Sequence, residues 1–164
     1  MKKAADIRLI VYDFDGVMTD NHVYVDQEGR ETAMVHRGDG LAVGLLRKTG
    51  VAQLILSTEV NPIVSQRAAK LGLPVLHNVA DKAEALKEYC ENEGIALSDV
   101  MYIGNDVNDL KAMELAGFRG APADAEPEIL AIADWVSGKK GGMGVVRELA
   151  RIWQHSLETG EAIG

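Results

Sequence analysis

The sequence predicts an α/β protein, a three-layer sandwich built on a mostly parallel central sheet. Two features carry that expectation. Short apolar runs of β-forming residues alternate along the chain with amphipathic helical runs. The apolar runs are also continuous rather than alternating, which is the pattern of strands covered on both faces. Length agrees: 164 residues make about one domain with a substantial core. No internal repeat, low-complexity tract or linker divides the chain. One domain over 1–164 is therefore expected, with a tail fraying from about Ser156.

Each element has a local reason. Leu9-Ile10-Val11-Tyr12 is a β-rich run ending at Asp13 and gives the first strand. Val23-Tyr24-Val25 and Thr32-Ala33-Met34-Val35 flank Asp26-Gln27-Glu28-Gly29-Arg30, a hairpin with a glycine-containing turn. Leu41 to Leu46 has helical spacing and stops near Gly50. Gln53 to Leu56 is the second strand, ending at Ser57. In the next helix Asn61 caps, Pro62 suits the first position, and Val64, Ala68 and Leu71 share a face before Gly72. Leu73 to Leu76 gives a third, short strand. Asp81 caps the following helix, with Glu84 three residues on as in a capping box. Val100 to Ile103 is the fourth strand, followed by a helix from about Asn108 to Ala116. Trp135-Val136 is a last short strand, and Val146, Leu149, Ala150 and Trp153 line a C-terminal helix.

Composition narrows the function classes. Seventeen Lys and Arg against 25 Asp and Glu give a formal charge of −8, a poor balance for a nucleic-acid groove. A phosphorylated small molecule stays compatible, because a bound cation inverts the local field. The single cysteine, Cys90, permits no internal disulfide and fits a cytoplasmic protein with a structural thiol. No run approaches the length of a membrane span, and the apolar stretch after Lys2-Lys3 is too short for a signal peptide. Gly138 to Gly144 lacks the spacing of a dinucleotide or P-loop motif, and the Asp26–Gly29 turn lacks the ligands of a calcium loop.

Ligands of open α/β sheets bind beyond the carboxyl ends of the strands. There the chain places Asp13-Phe14-Asp15-Gly16, Ser57, Lys82 at a helix start, and Gly104-Asn105-Asp106-Val107-Asn108-Asp109. Each residue type has a task in phosphoryl transfer. Asp13 and Asp15 are two apart, so on extended backbone they point the same way, one to attack phosphorus and the other to handle the leaving-group proton. A divalent cation relieves their mutual repulsion, and oxygen ligands suit Mg²⁺, with Asp106 the natural further ligand. Ser57 can hold the phosphoryl group, Lys82 can neutralise phosphate and nucleophile, and Asp109 can orient Lys82. Singly, each has a bland reading as a polar strand end, a cap or a solvated lysine. Their joint occurrence in this order makes that reading improbable.

The constellation resembles the haloacid dehalogenase superfamily. Val11-Tyr12-Asp13-Phe14-Asp15-Gly16-Val17 is similar to its first motif, Leu54 to Ser57 to its second, Lys82 to its third, and Gly104 to Asp109 to its fourth. The resemblance implies a Rossmann-like sandwich, Asp13 as nucleophile, Asp15 as general acid and base, and Mg²⁺ held by Asp13, the main-chain carbonyl of Asp15, and Asp106. Gly16, Asn105 and Asp109 would support the site. Only 41 residues lie between Asp15 and Ser57, and 23 between Lys82 and Asp106. These are the two places where this superfamily inserts a cap domain, so no cap is expected, only the hairpin flap after the first strand.

Among capless members the chain is similar to phosphatases of eight- and nine-carbon ulosonic acid phosphates. The supporting strings are Asp15-Gly16-Val17-Met18-Thr19-Asp20, Asp39-Gly40 and Gly141-Gly142-Met143-Gly144-Val145-Val146-Arg147-Glu148. Ser57-Thr58-Glu59 is closer to the nine-carbon branch, with Glu59 accepting from sugar hydroxyls. Arg67, Lys70 or Arg147 would meet the sugar carboxylate. In the resembled family paired hairpins close the open site, which implies a homotetramer. His36, His77 and Lys139-Lys140 have no settled role. Two other classes compete: a phosphorelay receiver, whose acceptor aspartate lies mid-chain, and a silent or accessory domain of the kind fused to acylneuraminate cytidylyltransferases. Motif order speaks against the first and motif completeness against the second.

Overall fold

The computed structural model describes residues 2–164. Six parallel strands form the central sheet: β1 (Leu9–Tyr12), β4 (Ala52–Leu56), β5 (Val75–Leu76), β6 (Val100–Ile103), β7 (Phe118–Ala121) and β8 (Trp135–Val136). Their spatial order is β5-β4-β1-β6-β7-β8. β1 sits between β4 and β6, with Tyr12 in register with Ile55 and Ile103. The chain order reverses at β1, so this is the switch point beneath which α/β proteins place their ligands.

Alternation along the strands supplies two cores. Ile10, Tyr12, Ile55, Met101 and Ile103 face α1 (Arg37–Arg47), α2 (Ile63–Leu71) and α6 (Val145–Thr159), where Val43, Leu46, Val64, Val146, Leu149 and Trp153 are buried. Leu9, Val11, Leu54, Leu56, Val100 and Tyr102 face α3 (Lys82–Glu93), α4 (Leu110–Leu115) and α5 (Pro127–Ile132) through Leu86, Cys90, Met113 and Ile129. The three layers match the expected fold. No second domain is inserted among the described residues, and none of their helices is long and apolar enough to cross a membrane. Burial raises the Cys90 thiol, as suits a packing residue.

The hairpin stands off the sheet as β2 (Thr19–Val25) paired antiparallel with β3 (Glu31–Val35). Val23, Tyr24, Val25 and Met34 are all exposed on it, Tyr24 to 76%.

Several expectations are corrected. The tail does not fray from 156: α6 runs to Thr159, Ser156 Oγ accepts from the Ala4 amide, and Ile163 is buried with its N–H donating to the Lys2 carbonyl. β7 and α5 carry little signal in the sequence. Phe118-Arg119-Gly120-Ala121 has a weak β composition, and Gly120 is there because a Cβ would press on Trp135, Ile103 and Met101. α5 is a six-residue helix, too short for a periodicity. Asn61 caps as expected, its Oδ1 accepting from the Ile63 N–H, but Pro62 stands just outside the helix. Asp81 accepts from the Ala83 and Glu84 amides, whereas Glu84 pairs with Lys87 instead of returning to the cap.

Candidate active site

Asp13 leaves β1 with its N–H still donating to Ile103, so the nucleophile candidate is held on sheet geometry. It is 5% exposed. Its Oδ1 accepts from Lys82 Nζ at 2.8 Å and from the Phe14 N–H at 2.8 Å. Lys82, the first residue of α3 and 3% exposed, also donates to Asp109 Oδ1 at 2.7 Å. Asp109 is fully buried and accepts further from Tyr102 Oη at 2.8 Å and from the Asn105 N–H at 3.0 Å. One ammonium thus bridges two buried carboxylates. Burial pulls Lys82 down, but Asp13 and Asp109 outweigh it and raise its pKa. Burial first and Asp109 second push Asp13 up to about 8 against the pull of Lys82.

Asp15 projects into a cavity of about 230 Å³, lined by Phe14, Asn21, Val23, Glu31, Glu59, Asn61 and Ile63 among others. Burial and then the Glu59 charge raise its pKa, which favours the protonated form a general acid needs. Thr19 Oγ1 positions it, donating to Asp15 Oδ1 at 3.4 Å while accepting from the Gly16 N–H at 3.2 Å. Ser57 is buried at the end of β4, and its Oγ accepts from the Glu59 N–H at 3.1 Å. Glu31 reaches from β3 to accept from Asn61 Nδ2 at 2.8 Å, which ties the hairpin to the entry of α2.

Gly16 has a positive φ of 93°, and a Cβ there would fall 2.0 Å from Asn105 Nδ2. Only glycine lets the first and fourth motifs close on each other. Gly141 and Gly142 do the same from the other side: a Cβ on either would strike main-chain atoms of Gly16, Thr19 or Asp20, and the Gly142 N–H donates to the Val17 carbonyl. That packing accounts for the glycine-rich segment before α6.

The structure therefore gathers Asp13, Asp15, Gly16, Ser57, Glu59, Lys82, Asn105 and Asp109 at one sheet edge. Arg67, Lys70 and Arg147 lie elsewhere, while Asp106 follows Asn105 in the same loop. No group of three acidic, histidine or cysteine side chains suited to a metal exists among the described residues. The Asp106 carboxylate instead accepts from the Val107 N–H at 2.6 Å. What faces Asp13 Oδ2 and the Asp15 main-chain oxygen, at 2.9 Å from each, is the terminal amide of Asn105. Arg67 and Lys70 line a separate cavity between α1 and α2 with Arg37 and Arg47, and Arg67 donates to the His36 carbonyl. Arg147 lies in the first turn of α6, where its N–H donates to Asp39. Sequence reasoning missed Tyr102, Thr19, Glu31 and Asn61. Tyr102 had a signal, since a phenol inside a buried strand needs a hydrogen-bond partner.

A model of the haloacid dehalogenase-like hydrolases matches residues 51–149, more than half of the chain, taking in Ser57, Lys82 and Asn105 to Asp109. The chain belongs to that family. It is 33% identical over 150 residues to the 3-deoxy-D-manno-octulosonate 8-phosphate phosphatase of Escherichia coli, covering 91% of this chain and 80% of that one. It is 32% identical over 148 residues to N-acylneuraminate cytidylyltransferase A of Danio rerio, covering 88% of this chain but 34% of that protein. Among solved structures, a Streptomyces avermitilis protein described as a HAD family hydrolase superposes with a TM-score of 0.89 at 49% identity, over 92% of this chain and 86% of that one. The Moraxella catarrhalis 3-deoxy-D-manno-octulosonate 8-phosphate phosphatase, solved with magnesium, phosphate and the sugar acid, superposes with a TM-score of 0.87 at 31% identity, over 96% and 95%. The chain is a hydrolase whose bacterial relatives are phosphatases.

Proposed function

We propose that this hydrolase removes the terminal phosphate of a 3-deoxy-2-ulosonic acid phosphate, with Asp13 as nucleophile. The observation that carries the reading is the buried Asp13–Lys82–Asp109 array at the end of the strand from which Asp15 reaches a cavity. An Asp13 carboxylate oxygen attacks phosphorus, and the P–O ester bond breaks. Asp15 gives its proton to the departing alkoxide. Asp15, now ionised, takes a proton from water, the resulting hydroxide attacks the phosphorus of the aspartyl-phosphate, and inorganic phosphate leaves with Asp13 restored. Lys82 offsets the charge that gathers on the phosphoryl oxygens, and Ser57 Oγ donates to them.

Asp13 and the main-chain oxygen of Asp15 are hard oxygen donors fit for Mg²⁺. When bound, the ion neutralises carboxylate and phosphate so that the two can approach.

The sugar is read as the nine-carbon 9-phosphate, the eight-carbon 8-phosphate being the alternative. Glu59 and Glu31 line the cavity beside Asp15, a lining that accepts from hydroxyls and repels a carboxylate. The sugar carboxylate therefore needs cations from elsewhere. Arg67 and Lys70 lie outside this cavity, and Arg147 is the cation read as coming from a neighbouring copy of the chain. The exposed apolar hairpin supports the same conclusion, a homotetramer in which hairpins pair and a neighbour closes the open site. The short coverage of the Danio rerio relative supports an accessory-domain reading; the complete set Asp13, Asp15, Ser57 and Lys82 favours catalysis.

The test is phosphate release from a panel of sugar phosphates, with light scattering on the same sample. A tetramer turning over a nine-carbon 9-phosphate fastest, with activity lost in chelator and restored by Mg²⁺, is expected. A folded protein that releases phosphate from no monoester with Mg²⁺ present overturns the reading.

A further inference from the structure

The turn that carries Asp15 is gripped from two sides. On one side Thr19 stands in register with Val35, the last residue of β3. On the other the Gly142 N–H donates to the Val17 carbonyl at 3.0 Å, and Gly141 packs so closely on the Gly16 carbonyl that any Cβ would strike it. The two gripping segments run on into His36 and Gly144, and there they meet. A Cβ on Gly144 would come within 3.3 Å of the His36 ring. α6 starts at that meeting point, and its cap residue, Gly144, has no side chain to satisfy the first amides of the helix.

Asp39 supplies what Gly144 lacks. It is the third residue of α1 and is 2% exposed. Its Oδ1 accepts from the Arg147 N–H at 2.9 Å, and its own N–H donates to the His36 carbonyl at 3.2 Å. One buried residue thus fastens the end of the hairpin to the start of α6. Burial makes a carboxyl here costly and raises its pKa, with the Arg147 N–H and then His36 pulling it back. An apolar side chain would fill the place without that cost, but it would accept no hydrogen bond. A single acceptor suffices, since Oδ2 has no partner.

We propose that Asp39 is a positioning residue for Asp15. By capping α6 from α1 it holds Gly141 and Gly142 against the Gly16–Thr19 turn. That turn aims Asp15 through Thr19 Oγ1, which donates to Asp15 Oδ1 at 3.4 Å. Without the cap the start of α6 frays, the glycine segment lifts, and Asp15 loses its aim. Asp13, held by the sheet and by Lys82, keeps its own. A catalytic group misplaced by about 1 Å costs about 10²-fold in rate. The cost falls on esters whose alcohol must leave with the Asp15 proton, and spares a leaving group that departs as a stable anion.

The inference rests on the phosphatase reading for its kinetic arm, and its second arm uses no substrate. The full chain is compared with Asp39→Ala, which removes the acceptor, with Asp39→Asn, whose amide oxygen keeps it, and with Thr19→Val, which cuts the last link to Asp15. The kinetic arm reads kcat/KM, which ends at departure of the alcohol. Asp39→Ala and Thr19→Val are expected to lose about 10²-fold on a sugar phosphate and far less on p-nitrophenyl phosphate, while Asp39→Asn restores both. The second arm reads amide hydrogen exchange by NMR. The Gly142 N–H exchanges about tenfold faster or more in Asp39→Ala and at the parent rate in Asp39→Asn. The proposal is overturned if Gly142 exchange in Asp39→Ala matches the parent, if the two esters lose equally in Asp39→Ala or Thr19→Val, or if Asp39→Asn behaves as Asp39→Ala. A parent chain that hydrolyses neither ester strikes the proposed function, and exchange at Gly142 still decides whether Asp39 holds the glycine segment in place.

Discussion

Lys82→Met removes the one cation between Asp13 and Asp109 and keeps most of the side-chain volume. The ammonium is 3% exposed and holds the carboxylates at 2.8 and 2.7 Å, so solvent cannot replace it. One further carboxylate must then be kept neutral in the folded state. In the unfolded chain it ionises with a pKa of 3.8. Holding it protonated at pH 7 costs about 1.36 kcal/mol for each of about 3.2 pH units, or about 4 kcal/mol. That agrees with the roughly 3–5 kcal/mol lost when one partner of a buried ion pair is removed. A carboxyl whose folded pKa lies above its unfolded value costs more stability as pH rises, so the penalty shrinks at lower pH, to about 1.6 kcal/mol at pH 5. Urea unfolding in chelator, followed by tryptophan fluorescence at both pH values, measures the difference between parent and variant. A penalty below about 1 kcal/mol at pH 7, or one equal at pH 7 and 5, refutes the bridging-cation account.

Asp15→Asn should lower kcat by about 10²–10⁴ with little change in KM; steady-state kinetics showing a raised KM alone would contradict its acid–base role. Replacing Tyr24 and Val25 together with lysine should break the proposed homotetramer into smaller species by light scattering, since these side chains carry the exposed apolar face of the hairpin; a variant that scatters as a tetramer would remove the hairpin from the interface. Burial raises the Asp39 carboxyl, and its Oδ2 has no hydrogen-bond partner. Its contribution to stability is therefore present at low pH and lost as pH rises above the ordinary carboxylate range. Asp39→Asn should gain on the parent chain between pH 4 and pH 7, as denaturant midpoints at the two values would show.

The sequence by itself determined the layers and the side chains gathered at the carboxyl ends of the strands, because these depend on local chemistry. A continuous apolar run such as Leu9–Tyr12 can be covered only on both faces. The residue that ends such a strand must lie at the sheet edge, which is why Asp13 and Ser57 were legible, and the cap at Asp81 marked Lys82 as the start of the helix that follows β5. The tertiary structure decided everything that depends on which way a turn rolls or what lies opposite. Asn105 and Asp106 are adjacent and both polar. Asp109 accepts from both of their amides and fixes the turn, and the fixed turn aims the amide rather than the carboxylate at Asp13 and Asp15. Tyr102 and Thr19 gained their roles from partners that only the folded chain brings within reach. Arg67 and Lys70 lost theirs within one chain for the converse reason. On α2 Lys70 is exposed and Arg67 donates to the His36 carbonyl, and a helical position shows which face it shares but not what that face meets.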